Sequence, residues 1–286
     1  MSFSTVLYPI IAALMAPEGT FLPLNTQWHA INKQQEYFLE QFYTDKVKAQ
    51  LSLFSQDELK SYVSQDHNEL NAIAEQKGFD LKFQKLDAGK FATLSILDIS
   101  IKWLHEGLKT ELEFHGTKYK AALLESANFE IFDVADHHHP IVKIKTKTSD
   151  TVFLTKADKP LAGFELTNTY IKLWHSQITH TYYYDSIIFP TVQLNQMVDI
   201  AWLQGMRTDD STSIPYEIGA AVQQTKFKMD ETGAHVESAV GITFRPVSLP
   251  KIYSIDTPFY IAIVREGSII PILVAYIDPS DWEKAE

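Results

Sequence analysis

TKFKMDETGAHVESAVGITFRPVSLP, residues 225–250, is the stretch on which the reading of this chain turns. It opens with period-two alternation, Phe227 and Met229 on one face and Lys226 and Lys228 on the other, the signature of a strand. Asp230-Glu231-Thr232-Gly233 breaks the run. The alternation then resumes: Ala234, Val236, Ser238, Val240, Ile242 and Phe244 fall on one face, and His235, Glu237, Ala239, Gly241, Thr243 and Arg245 on the other. It ends at Arg245-Pro246-Val247-Ser248-Leu249-Pro250, where prolines forbid a ladder and hold the backbone extended. The next strand begins only at Pro258. A connection of that length is uncommon in a compact domain and usually functional. An extended, exposed segment is the shape that a protease cleft accepts. The same residues also describe an ordinary long strand followed by a proline turn, and pattern alone leaves both readings open.

Downstream, residues 259–264 and 269–277 are apolar strands separated by Arg265-Glu266-Gly267-Ser268, which reads as a hairpin turn. Upstream, 194–205 returns to helical spacing through Val198, Ile200, Ala201 and Leu203. Residues 177–189 read as a strand pair, 129–134, 141–148 and 151–155 as short strands, and 91–103 as a β-branched, aromatic-rich run. The helix signal lies earlier. An apolar block at 10–15 is ended by Pro17 and Gly19, and 34–50 follows helical spacing. Ser55 with Glu58 three residues on is a capping-box pattern, predicting a helix toward Ala74 that Gly78 stops. The apolar run 6–16 suits a buried helix better than a signal-peptide core, because no Lys or Arg precedes it; export is left open. Helices over about 1–80 and strands over about 90–286 predict a single α+β domain.

The chain has 286 residues, 45% hydrophobic and 21% charged, enough to bury a large core. A net charge of −11 with no basic run argues against a nucleic-acid partner. No stretch approaches the ~20 apolar residues that span a bilayer, so no membrane partner is expected. The absence of cysteine excludes disulfides, thiolate nucleophiles and Cys-ligated zinc. His137-His138-His139, near Asp133 and Asp136, invites a metal. Adjacent side chains on an extended chain diverge, however, so a solvated turn is preferred and no metal is expected. His175 and His180 lack a Ser/Asp partner motif, and the chain contains no Gly-x-Ser-x-Gly, phosphate loop or His-Glu-x-x-His. No catalytic residue, cofactor or enzymatic activity is therefore expected. Tyr182-Tyr183-Tyr184 reads as strand packing.

Particular motifs carry a family likeness. Phe227-Lys228-Met229-Asp230-Glu231-Thr232-Gly233-Ala234 resembles the serpin hinge, in which an acidic residue precedes the glycine that opens the reactive loop. Thr257-Pro258-Phe259-Tyr260-Ile261-Ala262-Ile263 resembles the Pro-Phe strand that follows that loop, and 269–279 the closing strand with its terminal Asp278-Pro279. The spacing from Gly233 to Pro258 is similar to that of inhibitory serpins. Ile188-Phe189-Pro190 and Leu203-Gln204-Gly205 resemble the family's strand, helix and Leu-Gly sequence, and 91–103 is a weaker echo of its strand ending in Trp. The match is good over roughly the last hundred residues and faint before. The chain departs from the pattern in being shorter, in Gln223 where a His is expected, and in a hinge reading Ala234-His235-Val236-Glu237-Ser238-Ala239 rather than a run of small residues.

The resemblance implies a serpin-like α+β fold, with N-terminal helices, a large mixed or antiparallel sheet, a C-terminal barrel-like sheet and an exposed reactive loop at 233–257. It implies a serine protease inhibitor that works by loop cleavage and insertion, or else a non-inhibitory binding protein on the same fold. The reactive bond would join Val247 to Ser248, flanked by Arg245, Pro246, Leu249 and Pro250. Glu231, Gly233, Ala234, Val236 and Ser238 would form the hinge. Val247 implies a partner protease with an elastase-like preference for small aliphatic residues, met by a monomer.

Overall fold

The strand Phe259–Arg265 is buried at every position, as a strand covered on both faces must be. In the computed structural model, which describes residues 1–135, 137–208, 215–233 and 250–285, it lies inside a seven-stranded sheet. The order is Phe3–Thr5, Leu273–Ile277, Phe259–Arg265, Asp150–Lys156, Ile141–Lys145, Phe129–Val134, Ile178–Tyr182, antiparallel throughout. Leu166 and Tyr170 of the helix Gly163–Trp174 pack with Tyr260, Ala262 and Val274 on one face of this sheet. Ile261, Ile263 and Ala275 belong instead to the main core, which draws residues from Val6 to Trp282. A four-stranded sheet, Ile252–Ser254, Ser186–Pro190, Thr117–Glu125 and Leu108–Phe114, lines another side of that core.

Three strand pairs complete the β-structure among the described residues. Leu59–Ser64 pairs with Ala92–Leu97, Val192–Val198 with Gln223–Met229, and Trp28–His29 with Arg207–Thr208. The helix His67–Gln76, capped by Asp66 and closed at Gly78 (φ +77°), packs Leu70 and Ala74 on Leu94 and Ile96 of the first pair.

The α+β class and the large antiparallel sheet stand, as do strand 223–229 with its predicted faces and the buried helix Tyr8–Met15. Other expectations are corrected. No closed barrel forms among the described residues; Phe3–Thr5 and Ile178–Tyr182 are free edges of the long sheet. The first 80 residues also contribute strands Phe3–Thr5, Trp28–His29 and Leu59–Ser64.

The capping box is real in geometry. The Ser55 amide donates to Glu58 at 2.9 Å and the Glu58 amide to the Ser55 hydroxyl at 3.3 Å. Yet a strand follows it, because the Glu58 carboxylate is also taken by Arg265 and the helix waits until His67. Residues 194–205 are a strand and one 3₁₀ turn, since full-length pairing with 223–229 overrides the helical spacing. The strands Ile178–Tyr182 and Ser186–Pro190 exist but pair in different sheets. The strand expected over 269–277 begins only at Leu273.

His137 meets the Thr155 hydroxyl at 2.9 Å, while His139 turns to Asp158 at 2.8 Å. Tyr182 and Tyr184 are half-buried, and Tyr183 is exposed.

Candidate functional site

Among the described residues, strand Gln223–Met229 is paired along one edge, to Val192–Val198. Facing its other edge is the stretch that runs from Ala92–Leu97 on to Trp103. Among the described residues, a single backbone bridge, Lys102 to Gly233, joins the two at one end. Below that bridge a cleft of about 180 Å³ opens, walled by Ile99, Ile101, Phe227 and Met229, with Val152, Ile261 and Ile263 of the seven-stranded sheet also lining it. An apolar cleft between two strands offers the apolar contacts that a further strand could use.

Several contacts seal the upper end. The buried Trp103 ring stacks edge-on to Phe189, and its indole N–H donates to the Asp230 carbonyl at 2.8 Å. The Gly107 amide donates to the Glu231 carbonyl at 2.8 Å, and the Glu231 carboxylate lies 3.4 Å from the Lys109 ammonium. The Asp230 carboxylate accepts from the Thr232 amide at 2.9 Å and its hydroxyl at 2.7 Å, with Lys228 at 3.3 Å. Burial works against its charge, but these donors hold its carboxyl below the ordinary carboxylate range.

The turn Asp230-Glu231-Thr232-Gly233 therefore reverses the chain at the mouth of the cleft, and Gly233 bridges both walls, Asp230 on one side and Lys102 on the other. Only glycine fits. Its φ is +97°, and an added Cβ would lie 2.5 Å from the Ile101 carbonyl oxygen and 2.7 Å from the Trp103 nitrogen.

Of the expected site residues, Glu231 and Gly233 are thus brought together at the cleft mouth. Gln223, the departure from the likeness, donates its side-chain amide to the Val6 carbonyl at 2.8 Å. Pro250 is exposed. Next to it the Lys251 amide donates to Asp185 at 2.7 Å and leads into Ile252–Ser254, parallel to Ser186–Pro190. Ala234, Val236, Ser238, Arg245, Pro246, Val247, Ser248 and Leu249 lie outside the described residues.

A second cavity, about 230 Å³, sits between helix Gly163–Trp174 and the seven-stranded sheet. Phe153, Leu166, Tyr170, Trp174 and Tyr260 line it, with Lys143 and Glu130 among its polar contributors. Among the described residues the Tyr170 hydroxyl is buried without a hydrogen-bond partner, and burial raises its pKa well above the usual phenol value. Neither Tyr170 nor Trp174 was expected from the sequence. The helix lacks a side-chain cap, and its only signal is the apolar spacing Phe164, Leu166, Tyr170, Ile171, Trp174.

No protein-family model matches the chain, and no curated protein does. Solved structures do. Serpin48 of the insect Tenebrio molitor, described as a highly specific serpin, aligns at 15% identity and a TM-score of 0.60, covering 96% of this chain and 91% of its own. Thyroxine-binding globulin in complex with thyroxine aligns at 11% identity and a TM-score of 0.59, covering 96% and 92%. The mouse protein-Z dependent protease inhibitor aligns at 14% identity and a TM-score of 0.54, covering 96% and 90%. With these likenesses spanning nearly the whole chain, this protein has a serpin-like fold.

Proposed function

We propose that the chain is a serine protease inhibitor that traps its target by loop cleavage and insertion, the whole chain acting as one domain. The observation that carries this reading is Gly233, turned into the mouth of an apolar-lined cleft with one bridge to each wall. Continuing that register without a bulge sets Ala234 opposite Ile101 and Met229, both buried, where only a small side chain fits. Val236 falls opposite the half-buried Ile99 and Phe227, which leaves room for its extra bulk. Ser238, Val240 and Ile242 follow on the same inward face. Glu237 falls outward, opposite Lys226, where its charge stays hydrated. Burying a Val or Ile side chain yields about 1.5–3 kcal/mol, so the alternating face supplies a driving force once cleavage frees it.

Cleavage would fall between Val247 and Ser248, and Val247 suits a pocket for small aliphatic groups. Incubation with an elastase-like serine protease is expected to give an SDS-stable complex, and the cleaved chain should melt at a higher temperature than the intact one. Ala234→Arg should leave the loop cleavable but abolish the complex, because a charge would have to be buried beside Ile101. Val247→Arg should shift the preference to trypsin-like enzymes. Cleavage with neither complex nor gain in thermal stability would overturn the reading.

The cavity under helix Gly163–Trp174 favours a second reading, a non-inhibitory binding protein for a small apolar ligand. A thyroxine complex among the similar structures makes such a role plausible for the fold. Here a ring system would sit on Phe153 and Trp174, with one polar atom on the unpartnered Tyr170 hydroxyl. An anilinonaphthalene sulfonate probe should gain fluorescence with wild-type protein. Leu166→Trp, which fills the cavity, should remove most of that gain, and Tyr170→Phe should weaken binding about tenfold. Equal binding by all three chains would sink this reading.

A further inference from the structure

A sheet ends in two edges, and each presents a row of backbone donors and acceptors that a further strand can join. The two larger sheets of this fold have four edge strands, and three of them are blunted. Phe3–Thr5 and Ile252–Ser254 are only three residues long. Leu108–Phe114 carries Lys109, Glu111 and Glu113. The fourth, Ile178–Tyr182, has neither protection. Residues 176–184, Ser-Gln-Ile-Thr-His-Thr-Tyr-Tyr-Tyr, hold no Asp, Glu, Lys, Arg or Pro in a chain of net charge −11, and most are types that favour strands. Thr179, His180 and Thr181 are exposed, as are Ile178 at 54% and Tyr183 at 76%. Among the described residues the strand pairs with Phe129–Val134 alone, and its outer side takes no neighbour.

The irregularity in that pairing falls between Ile178 and His180. Beyond it the register is even: His180 lies opposite Asp133, Thr181 opposite Phe132 and Tyr182 opposite Ile131. Alternation sets His180 and Tyr182 on one face, where their rings meet edge-on at 4.6 Å and Asp133 accepts from the Tyr182 hydroxyl at 2.6 Å. The Tyr182 ring is thus held in place before a partner arrives, which reduces the entropy lost on docking.

The segment is complementary to itself. In an antiparallel pair centred on Thr181, that residue faces its own copy, His180 faces Tyr182 of the second copy, and Thr179 faces Tyr183 of the second copy. Thr–Thr and aromatic cross-strand pairs are favourable. Neither strand brings an acidic side chain, a lysine or an arginine to the other, although two chains of this net charge repel over most of their surface. We propose that the edge Ile178–Tyr182 is a two-fold dimerisation site whose occupant is the same strand of a second copy, so that two seven-stranded sheets become one. The pairing is short, and the dimer is accordingly weak and forms at high protein concentration. The proposal stands on the sheet edge and is independent of the insertion reading.

Sedimentation equilibrium over a range of protein concentrations tests it. Wild type should pass from monomer toward dimer mass as concentration rises. Thr181→Lys, which sets two ammonium groups against each other at the two-fold, should weaken association by at least about tenfold. Thr181 is exposed, so this variant should melt with wild type. Thr181→Cys tests the register, with oxidised glutathione as the oxidant in a chain that has no other cysteine. Residues directly opposite in an antiparallel pair lie within disulfide reach. Its covalent dimer should therefore form at least about tenfold faster than that of Thr20→Cys, an exposed control outside the edge. Monomer mass at every concentration, a dimer that Thr181→Lys leaves intact, or equal cross-linking of the two cysteine variants would overturn the proposal.

Discussion

Replacing Arg265 with Met should cost the fold about 3–5 kcal/mol, the range for removing one partner of a buried ion pair. The guanidinium reaches Asp150 through Nε at 2.8 Å and Nη2 at 3.1 Å, Glu58 at 2.6 and 3.0 Å, and the Leu53 carbonyl at 2.9 Å, while packing over the Phe54 ring. The side chain of Asp150 is 1% exposed, so the substitution strands a carboxylate with no water to take the place of the lost partner. Urea unfolding of wild type and variant measures the difference. A loss under 1 kcal/mol would show that Asp150 finds another donor.

The same cluster predicts an acid limb. The Arg265 hydrogen bonds, against an opposing effect of burial, pull the Glu58 carboxyl from 4.5 down to about 2. A carboxyl whose folded value is depressed stabilises the fold above its unfolded value, and that contribution drains away as pH falls from about 4.5 toward 2. Wild type should lose stability across that window more steeply than Arg265→Met, whose Glu58 no longer has the partner.

Gly233→Val should be the second large effect. A β-branched residue at φ +97° is strained by about 1–3 kcal/mol, and its Cβ would meet backbone atoms that no side-chain rotation can move away. The hinge turn should then detach from Lys102 and Trp103. Thermal melting should fall by several degrees, and amide exchange should rise sharply at Gly107, whose partner is the Glu231 carbonyl. Under the insertion reading this variant should also form less covalent complex. An unchanged melting temperature with protected amides would mean that the turn is held by Trp103 and Asp230 alone.

What was legible in the sequence followed from periodicity that tertiary pairing left undisturbed. Lys226 and Lys228 against Phe227 and Met229 is a two-residue repeat on a strand with one wet face, and the structure keeps both faces. Ser55 and Glu58 misled because their reciprocal hydrogen bonds also suit a turn, and only Arg265, 207 residues away along the chain, decides what Glu58 serves. The helical spacing of Val198, Ile200 and Leu203 lost to a full-length ladder. At the site, Gly233 was singled out by the family resemblance, and the structure shows its positive φ and its place at the cleft mouth. The cleft lining was not. Val152, Ile261 and Ile263 come from a sheet whose register no local pattern reveals, and the hydrogen bonds between Asp80 and Gln224 join residues 144 apart.

Chain order adds a last consequence, for biosynthesis. Phe259–Arg265 and Leu273–Ile277 fill interior places of the seven-stranded sheet, and Phe3–Thr5, from far earlier in the sequence, pairs with the second of them. That layer cannot close before those two strands are made. Until then Phe3–Thr5 stays unmatched, a period in which chaperone supply would govern yield.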